Sequence, residues 1–521
     1  MEPSLSITGP SKPMMGIWEK AGLSLAALAT LYFISFAFVG DILGPGYDLS
    51  LLLGLYAIAT ASYSYGIYRG EDPGIKNDGN FFRSLTAKGA IGWTMGVFLT
   101  GFYVLLYWYP ATLGLVEDGP NTGIIAVFDP LSYWIKDAPA SQWFMYGTLY
   151  TIAILYLGVK FMYKYRHSSY HLIRTGSVMF FQLAFAFLIP EFLQKLNQPF
   201  FDFKMIWPLD YYAFFDWRLD QLTSSGNLGI LMLVWSVALI LVVTPILTYF
   251  FGKRWYCSWV CGCGGLAETA GDPFRHLSDK SRKAWRIERW LIHAVLFFVT
   301  AMTIAVLHSY LYESSDPIFN TLGLSVFFTL LLGGGIAWVL LNETRFRDLD
   351  PKAKKLGILL AAVLIILLWE SQITGRYNLL FLPGHQIREW YGFLIGATFS
   401  GVIGVGFYPL MGNRVWCRFG CPMAAILGIQ QKFFSKFRIT TNGNQCISCG
   451  NCSTYCEMGI DVKWYAQRGQ DIVRASCVGC GICSAVCPRG VLRLENGPDT
   501  TNKADEVRAL QIDSSGVKWN A

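Results

Sequence analysis

Thirteen cysteines fall in 521 residues, and none precedes Cys257. They form three groups: Cys257, Cys261 and Cys263; Cys417 and Cys421; and eight between Cys446 and Cys487. Scattered pairs would suggest a disulfide framework, whereas tight C-x-x-C runs suggest metal and a reducing compartment. The tail reads Cys446-x2-Cys449-x2-Cys452-x3-Cys456, then Cys477-x2-Cys480-x2-Cys483-x3-Cys487-Pro488. Thiolates at this spacing wrap one loop around an iron–sulfur cube, and the fourth cysteine of each run reaches the other cluster. The expected ligands are Cys446, Cys449, Cys452 and Cys487 for one [4Fe–4S] cluster, and Cys477, Cys480, Cys483 and Cys456 for a second. Zinc modules also use C-x-x-C pairs, but the doubled pattern of eight favours clusters. Gly450, Gly479 and Gly481 should let the backbone turn closely enough to aim N–H groups at sulfur. Glu457 stands where such a run would often carry Pro, so the local turn there is expected to differ.

The other two groups have a common form. Cys257-Ser-Trp-Val-Cys261 follows Arg254-Trp255-Tyr256, and Cys417-Arg-Phe-Gly-Cys421-Pro422 follows Arg414-Val415-Trp416. An i, i+4 pair presents two thiols on one face of a helical turn. Two such pairs brought together would supply four thiolates, enough for a third cluster or a soft metal such as Cu(I). A thiol–disulfide couple and a purely packing role are the competing readings. Arg254, Arg414 and Arg418 would favour the thiolate form. Cys263 has no assigned partner.

The elements that must position these groups are set by composition. The chain is 53% hydrophobic and 15% charged, well short of the roughly 25% charge of soluble domains. Ten apolar stretches approach the roughly 20 residues that a bilayer core requires: about 21–40, 50–68, 89–108, 142–163, 176–193, 227–252, 289–312, 319–341, 355–370 and 389–411. No cleavable signal peptide is expected, because the first stretch is too long and lacks a small-residue exit. Alternate connections carry 21 Lys and Arg against 6. By the positive-inside rule this places both termini and every cysteine group on the cytoplasmic side of the inner membrane. The net charge of +7 follows from basic loops and gives no cause to invoke nucleic acid. The fold class is therefore an all-α polytopic bundle of about ten spans with a small α+β two-cluster ferredoxin-like domain. The divisions are a cytoplasmic segment 1–20, bundle 21–412, membrane-edge motif and amphipathic linker 413–438 with Phe433 and Phe434, ferredoxin-like 439–495, and polar tail 496–521. Gly333, Gly334 and Gly335 are expected to permit close helix packing. His293 and His308 read as hydrogen-bonded helix-end residues in preference to haem ligands. Glu370, Arg376 and His385 gather on the outer side, where a quinone head group would need such donors.

In motif order the chain resembles the NosR/NapH-type membrane polyferredoxins: span, C-x3-C, further spans, C-x3-C-P, then a doubled ferredoxin run, over about 227–495. Gly262 replaces the Pro expected after the first pair, and residues 1–226 have no counterpart in the resemblance. The resemblance implies electron transfer between a quinone pool or cytoplasmic donor and a respiratory or metal-maturation partner, with protein subunits as donor and acceptor. With no nucleophile–base pair or phosphate loop, the chain reads as an electron-transfer subunit of an oxidoreductase system. The rival readings are a copper reductase or assembly factor using Cys257, Cys261, Cys417 and Cys421, and a transporter with an iron–sulfur sensor domain.

Overall fold

A computed structural model describes residues 16–40, 42–44, 46–69, 89–312, 320–347, 349–497, 510–513 and 516–519. Most of the N-terminal segment 1–20, the basic connection 69–88 apart from Arg69, the connection 313–318 and much of the tail 496–521 lie outside the described residues.

Among the described residues, eight helices are long and apolar enough to cross a membrane. They are α1 (Ile17–Val39), α2 (Tyr47–Tyr68), α4 (Gln142–Lys164), α5 (Ser169–Lys195), α6 (Gly226–Phe251), α7 (Arg282–Tyr312), α8 (Thr321–Leu341) and α9 (Pro351–Thr374). The two other expected spans are also helical. They are α3 (Ala90–Trp108) and α10, in which Gly384–Tyr391 runs into a π-helical stretch Gly392–Ile403. Large apolar side chains point away from the protein along the bundle; Leu341 is 84% and Ile373 85% exposed. Such faces suit a lipid surround, where a helix needs no partner for its backbone groups because they are satisfied internally.

Small residues set the closest helix approach. A Cβ on Gly22 of α1 would meet Tyr63 N of α2 at 2.7 Å, so this hairpin needs glycine to close. The triple glycine Gly333–Gly335 does the opposite of what was expected. A Cβ on any of the three would meet nothing within 4 Å, so they bring no described helix close.

After α10 the chain turns through Trp416–Gly420 and forms α11 (Pro422–Phe434). Two strands close the ferredoxin-like domain: β1 (Phe437–Thr441) pairs antiparallel with β2 (Leu492–Asn496), Phe437 opposite Asn496 and Thr441 opposite Leu492. This pairing brings the two ends of the domain together, so the last cysteine of the second run returns to the first. The tail, expected to be merely polar, contains a hairpin of Leu510–Asp513 and Gly516–Trp519. One continuous buried core joins bundle and domain, running from Cys257, Cys261, Cys417 and Cys421 to Cys452, Cys477 and Cys483.

The linker differs from the amphipathic interfacial stretch expected. Most of α11 is buried, including Pro422, Met423, Ala424, Ala425, Leu427, Gly428 and Gln431. Phe434 stacks on Trp338 at 4.7 Å, Phe433 packs against Phe346 at 4.7 Å, and Arg345 Nε donates to Phe433 O at 2.9 Å. Aromatic and basic residues that would suit a membrane surface are spent on protein contacts.

Candidate functional site

The two C-x3-C segments fold into equivalent turns. Cys261 N donates to Tyr256 O at 2.8 Å, and Cys421 N donates to Trp416 O at 2.9 Å. Each second cysteine has extended backbone, and each caps a following helix, Gly262–Thr269 or α11. Orphan N–H groups at a helix start lie beside the capping residue, so both second cysteines sit next to a helix N-terminus. Gly264 is required for this: a Cβ there would lie 2.0 Å from Cys257 O. The structure brings Cys257, Cys261, Cys417 and Cys421 together, all four buried. Cys421 interacts electrostatically with Cys417, Cys257 and Cys261.

The basic setting expected to hold these thiols as anions is outweighed. Burial pushes the Cys257 thiol up to about 12 and raises Cys417 and Cys421, with Arg414 only partly opposing it at Cys417. Two of the three guanidinium groups are committed elsewhere. Arg418 pairs with Glu288 at 3.1 Å, and Arg254 lies over the Phe437 ring at 4.6 Å. Cys261 is the exception. Interaction with the neighbouring Cys263 thiol pulls it below the usual thiol range, while Cys263 itself is pushed up.

In the ferredoxin-like domain the eight cysteines lie in two neighbouring groups. Cys452 interacts electrostatically with Cys487, Cys449 and Cys446, and these four cysteines line one cavity. Cys483 interacts with Cys480, Cys477 and Cys456, and also with Cys452 of the neighbouring group. The loops match in backbone: Ser448 and Gly450 have φ of 59° and 81°, and Gly479 and Gly481 have 62° and 82°. Only glycine adopts this left-handed region without cost. Ile460 N donates to Cys456 Sγ at 3.4 Å, the N–H to sulfur contact that tunes a cluster. Among the described residues no three His, Cys, Asp or Glu side chains converge tightly enough to hold a single metal ion.

A buried charge network went unforeseen. Glu457, fully buried, accepts from Arg275 Nη1 at 2.5 Å and pairs with Arg414 Nη2 at 2.9 Å. Arg414 and Arg174 each pair with Glu268 at 2.6 Å, and Asp272 bridges Arg275 at 2.6 Å and Lys164 at 2.7 Å. The network reaches both cysteine sites. Arg414 Nη1 donates to Cys417 Sγ at 3.7 Å, and Arg174 donates to Cys480 O. Burial alone would raise Glu457 and Asp272. Arg414 and Arg275 at the first, and Lys164 and Arg275 at the second, overcome it and hold both below the usual carboxylate range. The one sequence signal was Glu457 in place of Pro. It pairs the domain with Arg275 and Arg414 of the bundle side, and the turn stays intact, with Gly459 N donating to Cys456 O at 3.1 Å.

Elsewhere the expected residues are engaged in ordinary contacts. His293 Nδ1 lies 2.5 Å from Arg289 O. His308 contacts Tyr377 O at 3.2 Å and Ser371 Oγ at 3.0 Å, as expected for helix-end histidines. Of the outer trio, Glu370 pairs with Arg376.

Two family profiles match. One described as "4Fe-4S binding domain" covers residues 234–287 and 394–440, the stretches that contain the two C-x3-C turns. One described as "4Fe-4S dicluster domain" covers 438–488. The chain is thus a membrane iron–sulfur protein with ferredoxin-type 4Fe–4S domains. It is also similar to "Putative electron transport protein YccM" of Escherichia coli (strain K12), with 24% identity over 247 residues, 47% of this chain and 52% of the relative. The chain therefore spans about half the length of that curated relative. No solved structure matches.

Proposed function

We propose that the chain is a membrane electron carrier of the NosR/NapH polyferredoxin kind. It has ten spans, both termini and all cysteine groups on the cytoplasmic side of the inner membrane, and the domain divisions set out above. In this reading Cys446, Cys449, Cys452 and Cys487 hold one [4Fe–4S] cluster, and Cys477, Cys480, Cys483 and Cys456 hold the second. Cys257, Cys261, Cys417 and Cys421 hold a third redox site. Each cluster supplies a one-electron couple whose potential depends on burial and hydrogen bonds to sulfur. The chain's own residues orient the thiols, exclude water through the shared apolar core, and fix the domain against the bundle. Electrons pass between a quinone pool or cytoplasmic donor and a respiratory or metal-maturation partner.

One observation carries this reading: two turns with the same hydrogen bonds meet in a buried core that continues into the dicluster domain. A relay between bundle and tail belongs in that position. Changing Cys417 and Cys421 to Ser should abolish electron delivery to or from the membrane side while both ferredoxin EPR signals persist. Wild-type transfer in that variant would make these cysteines structural. Orientation has a separate test. Reporter fusions after residues 118 and 205 should report the outside and fusions after 78 and 350 the inside; the reverse would overturn the topology.

A further inference from the structure

The two ferredoxin loops differ in what covers them. The second is sealed by the bundle: Tyr170 Oη donates to Gly479 O at 2.8 Å, Ser258 Oγ to Val478 O at 2.9 Å, and Lys253 Nζ to Ala475 O at 3.1 Å. The first loop is open. Cys449 is exposed, Ile447 is 58% exposed, and a Cβ on Gly450 would meet nothing within 4 Å. The cavity lined by Cys446, Cys449, Cys452 and Cys487 is also lined by Lys463 and Arg489. Neither cation has an ion-pair partner among the described residues. Beside it Trp464 is exposed and lies under the Arg468 guanidinium at 4.1 Å. Trp and Arg are the residue types that most often anchor protein–protein contacts.

We propose that this face is the docking port for a small acidic one-electron carrier protein, and that electrons exchanged with soluble donors pass through the first loop only. The proposal rests on the ligand assignment above and adds the partner class. The occupant is argued from charge. Two unpaired cations flank the cysteine cavity, so a carboxylate-rich surface is steered toward it and a basic one is turned away. The apolar rim of Ile447 and Pro488 supplies the contact from which water is expelled. The step balances as a single electron: the carrier is oxidised by one, the first cluster is reduced by one, and no bond or proton changes hands.

The test uses the full-length protein in detergent and an acidic plant-type [2Fe–2S] ferredoxin as probe. Binding is measured by calorimetry at low and high salt, and transfer by stopped flow. Raising the salt from about 50 to 300 mM should weaken binding about tenfold or more. The double variant Lys463→Glu, Arg489→Glu should weaken it by a similar factor, mainly through a slower association rate. A basic carrier should bind the wild type poorly and gain in the variant. Reduction by dithionite, which needs no docking face, should be unchanged, with both cluster signals intact. Binding and transfer within twofold of wild type in the double variant would overturn the port, even with the cluster assignment standing. Absence of two clusters from the wild type would overturn the ligand assignment, and the port with it.

Discussion

The first and second ferredoxin loops are nearly the same object in backbone terms and have opposite surroundings. Both turn through paired left-handed residues, Ser448 with Gly450 and Gly479 with Gly481. Both lead into a four-residue helix, Asn451–Thr454 or Ile482–Ala485. Yet a Cβ on Gly481 would lie 2.7 Å from Tyr170 Cε1, and one on Gly450 would meet open space. The residue after the fourth cysteine differs in the same way: Glu457 is buried among arginines, while Pro488 is exposed. One local solution thus serves two purposes, an inner loop fastened to the membrane end and an outer loop left free for exchange.

Breaking the fastened side should cost most. Glu457→Ala leaves Arg275 and Arg414 without a shared buried partner, and removal of one member of a buried ion pair costs about 3–5 kcal/mol. The expected outcome is a domain that proteases cleave from the bundle, measured by limited proteolysis, with recovery in part by Glu457→Gln. Unchanged protease resistance would mean that the network does not hold the domain. Gly481→Ala comes next. The left-handed conformation costs about 1–2 kcal/mol, and overpacking against Tyr170 adds about 1–3 kcal/mol. Gly450→Ala pays the first cost alone, so the melting temperatures of the two variants should separate clearly. Gln431→Ala loses donors to Arg474 O and Cys477 O, both at 2.8 Å. Unsatisfied buried carbonyls cost about 1–3 kcal/mol, seen as earlier thermal loss of the second cluster's signal while the first is retained. Smallest of all, Pro488→Ala should stay within about 0.5 kcal/mol, as surface substitutions do. Equal effects of Glu457→Ala and Pro488→Ala would erase the distinction between the sides.

Much of this was legible because cluster ligation is written in spacing. The cysteine groups and the likeness of the two C-x3-C turns follow from short-range pattern. Burial and distant pairing do not. Arg174 and Glu268 meet across about 90 residues, and Arg275 and Glu457 across about 180. In the sequence these cations count only as basic loops. Phe433 and Phe434 misled for a related reason. An aromatic beside Lys suits a lipid interface as well as a protein groove, and only Trp338 and Phe346 decide between them. The triple glycine in α8 failed likewise, since nothing in its own sequence tells whether a partner helix lies opposite.

The central claim is that Cys257, Cys261, Cys417 and Cys421 act as one cluster site beside the two in the tail. Iron counted per chain in anaerobically purified protein tests it most directly, alongside the same count in Cys417→Ser. The expected result is about twelve irons in the wild type and about eight in the variant, with both ferredoxin EPR signals kept. About eight irons in both proteins would contradict it and leave the membrane-edge cysteines without a cluster.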